Sequence, residues 1–111
     1  MGQAVSIDST FRALGDPTRR RVIEQLCLRP ASMTELARPF DMALPSFAKH
    51  LGILEKSGLI RSSKVGRVRT YRLVPSKLQS AEHWLGKQRS LWETRLDQLD
   101  AHLATMKEEE P

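Results

Sequence analysis

A single cysteine, Cys27, stands among the 111 residues. No internal disulfide can form, and a reducing cytoplasm is the natural compartment for such a chain. No apolar run approaches the ~20 residues of a membrane-spanning helix, and no signal-peptide core follows the start. Met1-Gly2-Gln3-Ala4-Val5-Ser6 matches the short myristoylation pattern loosely, without a polybasic second signal. There is no Ser/His/Asp set, no glycine-rich phosphate loop and no zinc-ligand spacing. Catalysis is therefore not expected, and neither is a cofactor. Internal repeats and low-complexity segments are absent too.

What is present is charge, and it is unevenly spread. Residues 1–75 hold 13 Lys/Arg against 6 Asp/Glu, whereas residues 76–111 hold 5 against 7. A basic body joined to a slightly acidic tail points to a polyanion partner for the body only. The length suits a small independently folding core.

Local signals divide the body into short helices. Ile7 to Leu14 reads as a helix with Ile7, Phe11 and Leu14 on one face, stopped by Gly15. Asp16 is an N-cap and Pro17 the first residue of a second helix running to about Leu28, with Val22, Ile23, Leu26 and Cys27 inward. Ser32 and Glu35 are spaced as a capping box, opening a third helix that Pro39 closes. In the fourth, Leu44, Phe47, Leu51 and Leu54 share one side, while Ser46, Lys49 and Ile53 point away. Gly58 supplies its left-handed cap. Two strands follow, Leu59 to Lys64 and Val68 to Leu73, joined around Gly66 and loaded with Lys64, Arg67, Arg69 and Arg72. Pro75 ends the hairpin.

The expected fold is mainly α (α+β): a winged helix-turn-helix of five helices with a two-stranded β-hairpin wing. In that plan the second helix of the pair enters the DNA major groove and the hairpin reaches the flanking backbone or minor groove. The basic, polar face of the fourth helix is then a surface directed into the groove, which accepts one α-helix. A winged helix that serves only as a protein-interaction module is the alternative. An arginine-loaded hairpin gives such a module nothing.

The segments "FRALGDPTRRRVIEQL", "TELARPF", "LPSFAKHLGILEKSGLI" and "GRVRTYRL" occur in the order found in the ArsR-type winged-helix repressors of bacteria, which the chain resembles over residues 7 to 75. The resemblance implies a homodimeric repressor on an inverted-repeat operator in double-stranded DNA. By the matching "KHL", Lys49 and His50 belong to the recognition helix; by the matching hairpin, Arg67 and Arg69 belong to the wing. His50 lies between the core and groove faces, so packing and a phosphate bond are both open to it. The Arg19-Arg20-Arg21 run puts three cations at a helix N-terminus, against its dipole. Either a phosphate, for which Arg20 is the chosen contact, or carboxylates such as Glu24 would account for it.

The chain departs from the metal-sensing members. "MTELARPF" carries no Cys-x-Cys pair, and His83 and His102 lack the His-and-acid spacing of the last helix, so no metal is expected. A ligand- or redox-switched sensor using Cys27 is the neighbouring alternative. Ala48 stands where the family commonly has serine, and Ser46 carries the hydroxyl instead. The likeness is to the non-metal branch, whose members are often autorepressors.

Residues 76–111 read as one long helix with a frayed acidic end at Glu108, Glu109 and Glu110. Leu85, Trp92, Leu96, Leu99, Leu103 and Met106 recur at spacings of seven, four, three, four and three. Such a stripe is a liability in a monomer, and a second copy related by a twofold axis covers it most simply. The DNA-binding domain is thus expected in residues 1–75 and dimerisation in 76–111.

Overall fold

The structure is a computed structural model, and it describes residues 7–109. The myristoylation-like start and Glu110 lie outside them. Among the described residues the order is α1 (Ile7–Leu14), α2 (Pro17–Leu28), β1 (Ala31–Ser32), α3 (Met33–Ala37), α4 (Leu44–Lys56), β2 (Ile60–Val65), β3 (Val68–Leu73) and α5 (Pro75–Glu109). No helix among them is long and apolar enough to cross a membrane.

Capping chemistry sets most of these boundaries. Asp16 is extended (φ −116°) and its carboxylate accepts the Arg19 N–H at 3.1 Å, with Pro17 at the first helical position. The Ser32–Glu35 capping box is closed in both directions, at 3.2 Å and 3.0 Å. At the far end of α4, Gly58 at φ 82° lets its own N–H reach Glu55 O and the Leu59 N–H reach Leu54 O. This paired arrangement is the Schellman motif, and a residue with a Cβ would be strained there.

The core draws on every element through β3. Val22, Leu36, Phe47, Leu51, Leu54, Leu59 and Ile60 are almost fully enclosed, and Tyr71 joins them from β3. Between α3 and α4, Phe40 packs on Phe47 with ring centroids 5.3 Å apart, while the Arg21 guanidinium covers Phe40 at 4.7 Å. The hairpin wing is present, and β1 adds a third strand. It pairs antiparallel with β3, Ala31 opposite Tyr71 and Ser32 opposite Thr70, giving the order β1-β3-β2. Two residues beside Pro30 carry no strand signal of their own; the pairing exists because β3 offers an open edge.

Several sequence expectations need correction. On α1 the buried residues are Thr10 and Ala13, not the large apolar set: Ile7 and Leu14 are half-buried and Phe11 is exposed. Close packing against α2 favours small side chains, which apolar periodicity does not register. Cys27 is exposed rather than inward, because it lies ~100° beyond Leu26 around α2. Leu44 is exposed as well; it occupies the first turn of α4, before the three turns that face the core. Pro75 does more than end the hairpin, since it starts α5.

The residues through Ala81 form one compact unit and those from Glu82 another. The first turns of α5, with Ala81 buried and Leu78 against the core, belong to the first unit. From Glu82 onward α5 is a helix whose large apolar side chains are exposed.

Partial burial alone would raise the Asp16 carboxyl, but the Arg19 N–H, the His50 ring, the Arg19 charge and the Thr18 N–H together hold it below its ordinary 3.8. A depressed carboxyl stabilises the fold above the unfolded value and loses that contribution as pH falls through the folded one. Asp16→Ala should therefore cost about 1 kcal/mol at neutral pH, as N-cap losses do. The deficit should shrink toward zero as pH falls below 3.8. Urea unfolding at pH 7 and at low pH, at one fixed protein concentration, measures both.

Candidate nucleic-acid interface

The α4 surface opposite the core carries Ser46 and Lys49, both exposed, and Ile53, which is 42% exposed. Phe47, Leu51 and Leu54 hold the other side down, so the backbone that presents Ser46 and Lys49 is fixed by three enclosed anchors. His50 sits between the two faces, half-buried.

Its ring meets two residues at the start of α2. His50 Nδ1 lies 3.1 Å from Arg19 Nη1 and 3.6 Å from Asp16 Oδ2. Guanidinium has donors only, so in the neutral ring Nδ1 accepts from Arg19. That form carries its proton on Nε2. Adding a proton at Nδ1 would turn the Arg19 contact repulsive and leave Asp16 as the partner.

Arg19 is committed elsewhere as well. Its Nε donates to Ala13 O at 2.7 Å and its Nη2 to Arg12 O at 3.3 Å. Arg20 Nη1 donates to Leu14 O at 2.8 Å. The three-arginine run thus has partners within the fold. Arg19 and Arg20 cap the C-terminal carbonyls of α1, where cations suit the dipole, and Arg21 lies on Phe40. Periodicity could not reveal this, because the partners are backbone atoms of another helix.

The wing is a hairpin with Gly66-Arg67 at its tip, Gly66 at φ 63° in the first central position, as a two-residue turn of that kind requires. Its register sets Lys64 directly opposite Arg69 and Arg61 directly opposite Arg72. Arg61 was not among the residues singled out from the sequence; only the cross-strand register reveals it. Like charges in direct opposition cost stability in an isolated hairpin. Arg69 Nη1 also donates to Ser62 Oγ at 2.9 Å, and Ser62 Oγ donates to Glu55 Oε2 at 2.7 Å. That chain ties the wing to the end of α4. Lys64 and Arg67 are exposed, as is the apolar pair Val65 and Val68 flanking the tip.

In the second unit, Leu85, Trp92, Leu96, Leu99 and Leu103 are between 41% and 66% exposed. They fall along one side of a 35-residue helix about 52 Å long. Among the described residues no three His, Cys, Asp or Glu side chains gather as a metal would need.

Known proteins agree with this geometry. A family profile described as a helix-turn-helix domain matches residues 14–63. The HTH-type transcriptional regulator Rv2034 of Mycobacterium tuberculosis is 36% identical over 73 residues, covering 66% of this chain and 68% of that one. The transcriptional repressor SdpR of Bacillus subtilis is 29% identical over 79 residues, covering 71% and 88%. A crystal structure of an ArsR family transcriptional regulator superposes with a TM-score of 0.74 at 52% identity, covering 78% of this chain and 94% of that one. These relatives are regulators rather than enzymes, and with the winged helix-turn-helix described above they place the chain in the ArsR family of transcriptional regulators.

Proposed function

We propose that the chain is a homodimeric repressor in the bacterial cytoplasm that binds an inverted-repeat operator in double-stranded DNA. The observation that carries this is the wing register: two like-charged pairs in direct opposition, beside a helix whose free face is polar and basic. A polyanion offsets that repulsion, and the phosphate backbone is the polyanion a winged helix meets. SdpR, a relative, is named as a repressor.

Residues divide by task. Ser46, Lys49 and Ile53 face base edges in the major groove. His50 offers its Nε2–H to a phosphate. Lys64, Arg67 and Arg69 take the flanking backbone, and Arg20, whose guanidinium keeps donors beyond the one on Leu14 O, takes another phosphate. Residues 1–75 read the DNA, and 76–111 pair two copies through Leu85, Trp92, Leu96, Leu99 and Leu103.

Lys49→Ala and Ser46→Ala should lose discrimination between operator and random DNA by about 1–3 kcal/mol per lost base contact. Arg67→Ala should instead weaken all sequences alike and flatten the salt slope by roughly 0.9 per lost phosphate contact. Titrations of selected and random duplexes at several salt concentrations separate the two classes; wild-type behaviour in both would remove the groove-and-wing assignment.

Nitrogen NMR of His50 at neutral pH should find Nδ1 bare and Nε2 protonated. His50→Ala should weaken operator and random DNA equally. The opposite tautomer would leave His50 without a donor for phosphate.

Two half-sites a helical turn apart, ~34 Å, need two reading units at fixed separation. Linking them can add about 10²–10⁴ in avidity. Leu96→Glu places a carboxylate inside the proposed interface, an unpaired charge costing roughly 3–5 kcal/mol. The variant should sediment as a monomer, keep its helical circular dichroism and fail to bind operator where wild type saturates. A dimeric variant would show that another surface pairs the copies.

A further inference from the structure

An open hollow of about 420 Å³ lies between α1 and the C-terminal half of α4. Arg12 and Ala13 line it from α1, Arg19 from α2, and Ile53, Lys56 and Ser57 from the end of α4. Its wall is mostly carbon, three of its side chains are cations, and no carboxylate lines it. Arg19 is already bound to two carbonyls and to His50. Arg12 and Lys56, by contrast, form no ion pair among the described residues.

We propose that this hollow binds an amphipathic carboxylate, a medium-length aliphatic acid whose charge is held by Arg12 and Lys56 and whose chain covers Ala13 and Ile53. The volume falls within the range of small-molecule sites, which join apolar walls to a few placed polar groups. A bare phosphate would satisfy the cations but leave the carbon wall wet. A neutral alcohol would cover the wall but leave Arg12 and Lys56, both exposed, without a counter-charge. Only a ligand with both parts answers both features.

The position gives such a ligand leverage. Ile53 and Lys56 belong to α4, and Arg19, which also lines the hollow, contacts His50 on the same helix. A bound acid whose chain covers Ile53 takes that side chain from the α4 face and weakens DNA binding. This coupling, unlike the binding itself, rests on α4 being the DNA-contacting helix.

The test uses the full chain, labelled with ¹⁵N, titrated with decanoate, decanol and inorganic phosphate, decanoate being kept below its micelle concentration. Saturable shifts are expected at Ala13, Ile53 and Ser57, with decanoate binding at least about tenfold more tightly than decanol or phosphate. The double variant Arg12→Gln, Lys56→Gln should bring decanoate down to the decanol affinity while leaving the circular dichroism unchanged. Absence of saturable shifts, shifts confined to the apolar stripe of α5, or phosphate binding as tightly as decanoate would each overturn the site. Operator binding measured with and without decanoate tests the coupling separately: decanoate in the hollow with unchanged operator affinity leaves the site standing and removes the coupling.

Discussion

The Arg19 guanidinium is the junction on which the arrangement of α1, α2 and α4 depends. Its three nitrogens go to three acceptors: Ala13 O, Arg12 O and His50 Nδ1. Two of these are carbonyls at the end of α1, and the third is on α4. The backbone N–H of the same residue is bound by Asp16. One residue therefore closes the end of one helix, belongs to the cap of the next and fixes a side chain of a third. Planar donors in a fixed fork suit this task; a lysine ammonium could not serve three directions in one plane. The apparent conflict of cations at a helix N-terminus disappears once the neighbouring C-terminus is seen beside it.

Fixing His50 has a chemical consequence beyond packing. A histidine with both nitrogens free exchanges tautomers, and its donor direction is undefined. With Nδ1 taken by a permanent cation, the remaining donor is Nε2–H. In its neutral form the ring is thus a directed donor at the edge of the α4 face. Asp16 adds a counter-charge 3.6 Å from the same nitrogen, which keeps the Arg19 charge from standing alone.

Much of the fold was legible because local chemistry decides it. Asp16-Pro17, the Ser32–Glu35 box and Gly58 each encode a boundary within four residues, and every one stands where the spacing put it. The inward set Phe47, Leu51 and Leu54 followed from periodicity alone. What escaped depends on contacts between distant segments. β1 forms only because β3 presents an edge to Ala31 and Ser32. Thr10 and Ala13 are buried because α1 approaches α2 closely, and the arginine run binds carbonyls that no side-chain pattern records. Cys27 is a simpler case: it is apolar, but the enclosed arc of α2, Val22, Ile23 and Leu26, ends before it. The α4 and wing positions that make up the candidate site were visible as residue types, but the opposition of Arg61 to Arg72 needed the strand register.

That register also bears on how the two reading elements stay aligned. A free hairpin with Lys64 against Arg69 would tend to splay, and its tip would sample many positions. Here Arg69 is drawn to Ser62, which in turn donates to Glu55 in the last turns of α4. The Glu55 carboxylate supplies negative charge two bonds away from the repelling pair and anchors the strand base to the helix. The Schellman cap at Gly58 fixes the short path between them, so α4 and β2 leave the turn at a set angle. Order at the base and repulsion toward the tip are then compatible. The wing is held where it joins α4, while Lys64 and Arg67 remain exposed and short of counter-charge, the condition in which a phosphate backbone gains most from meeting them.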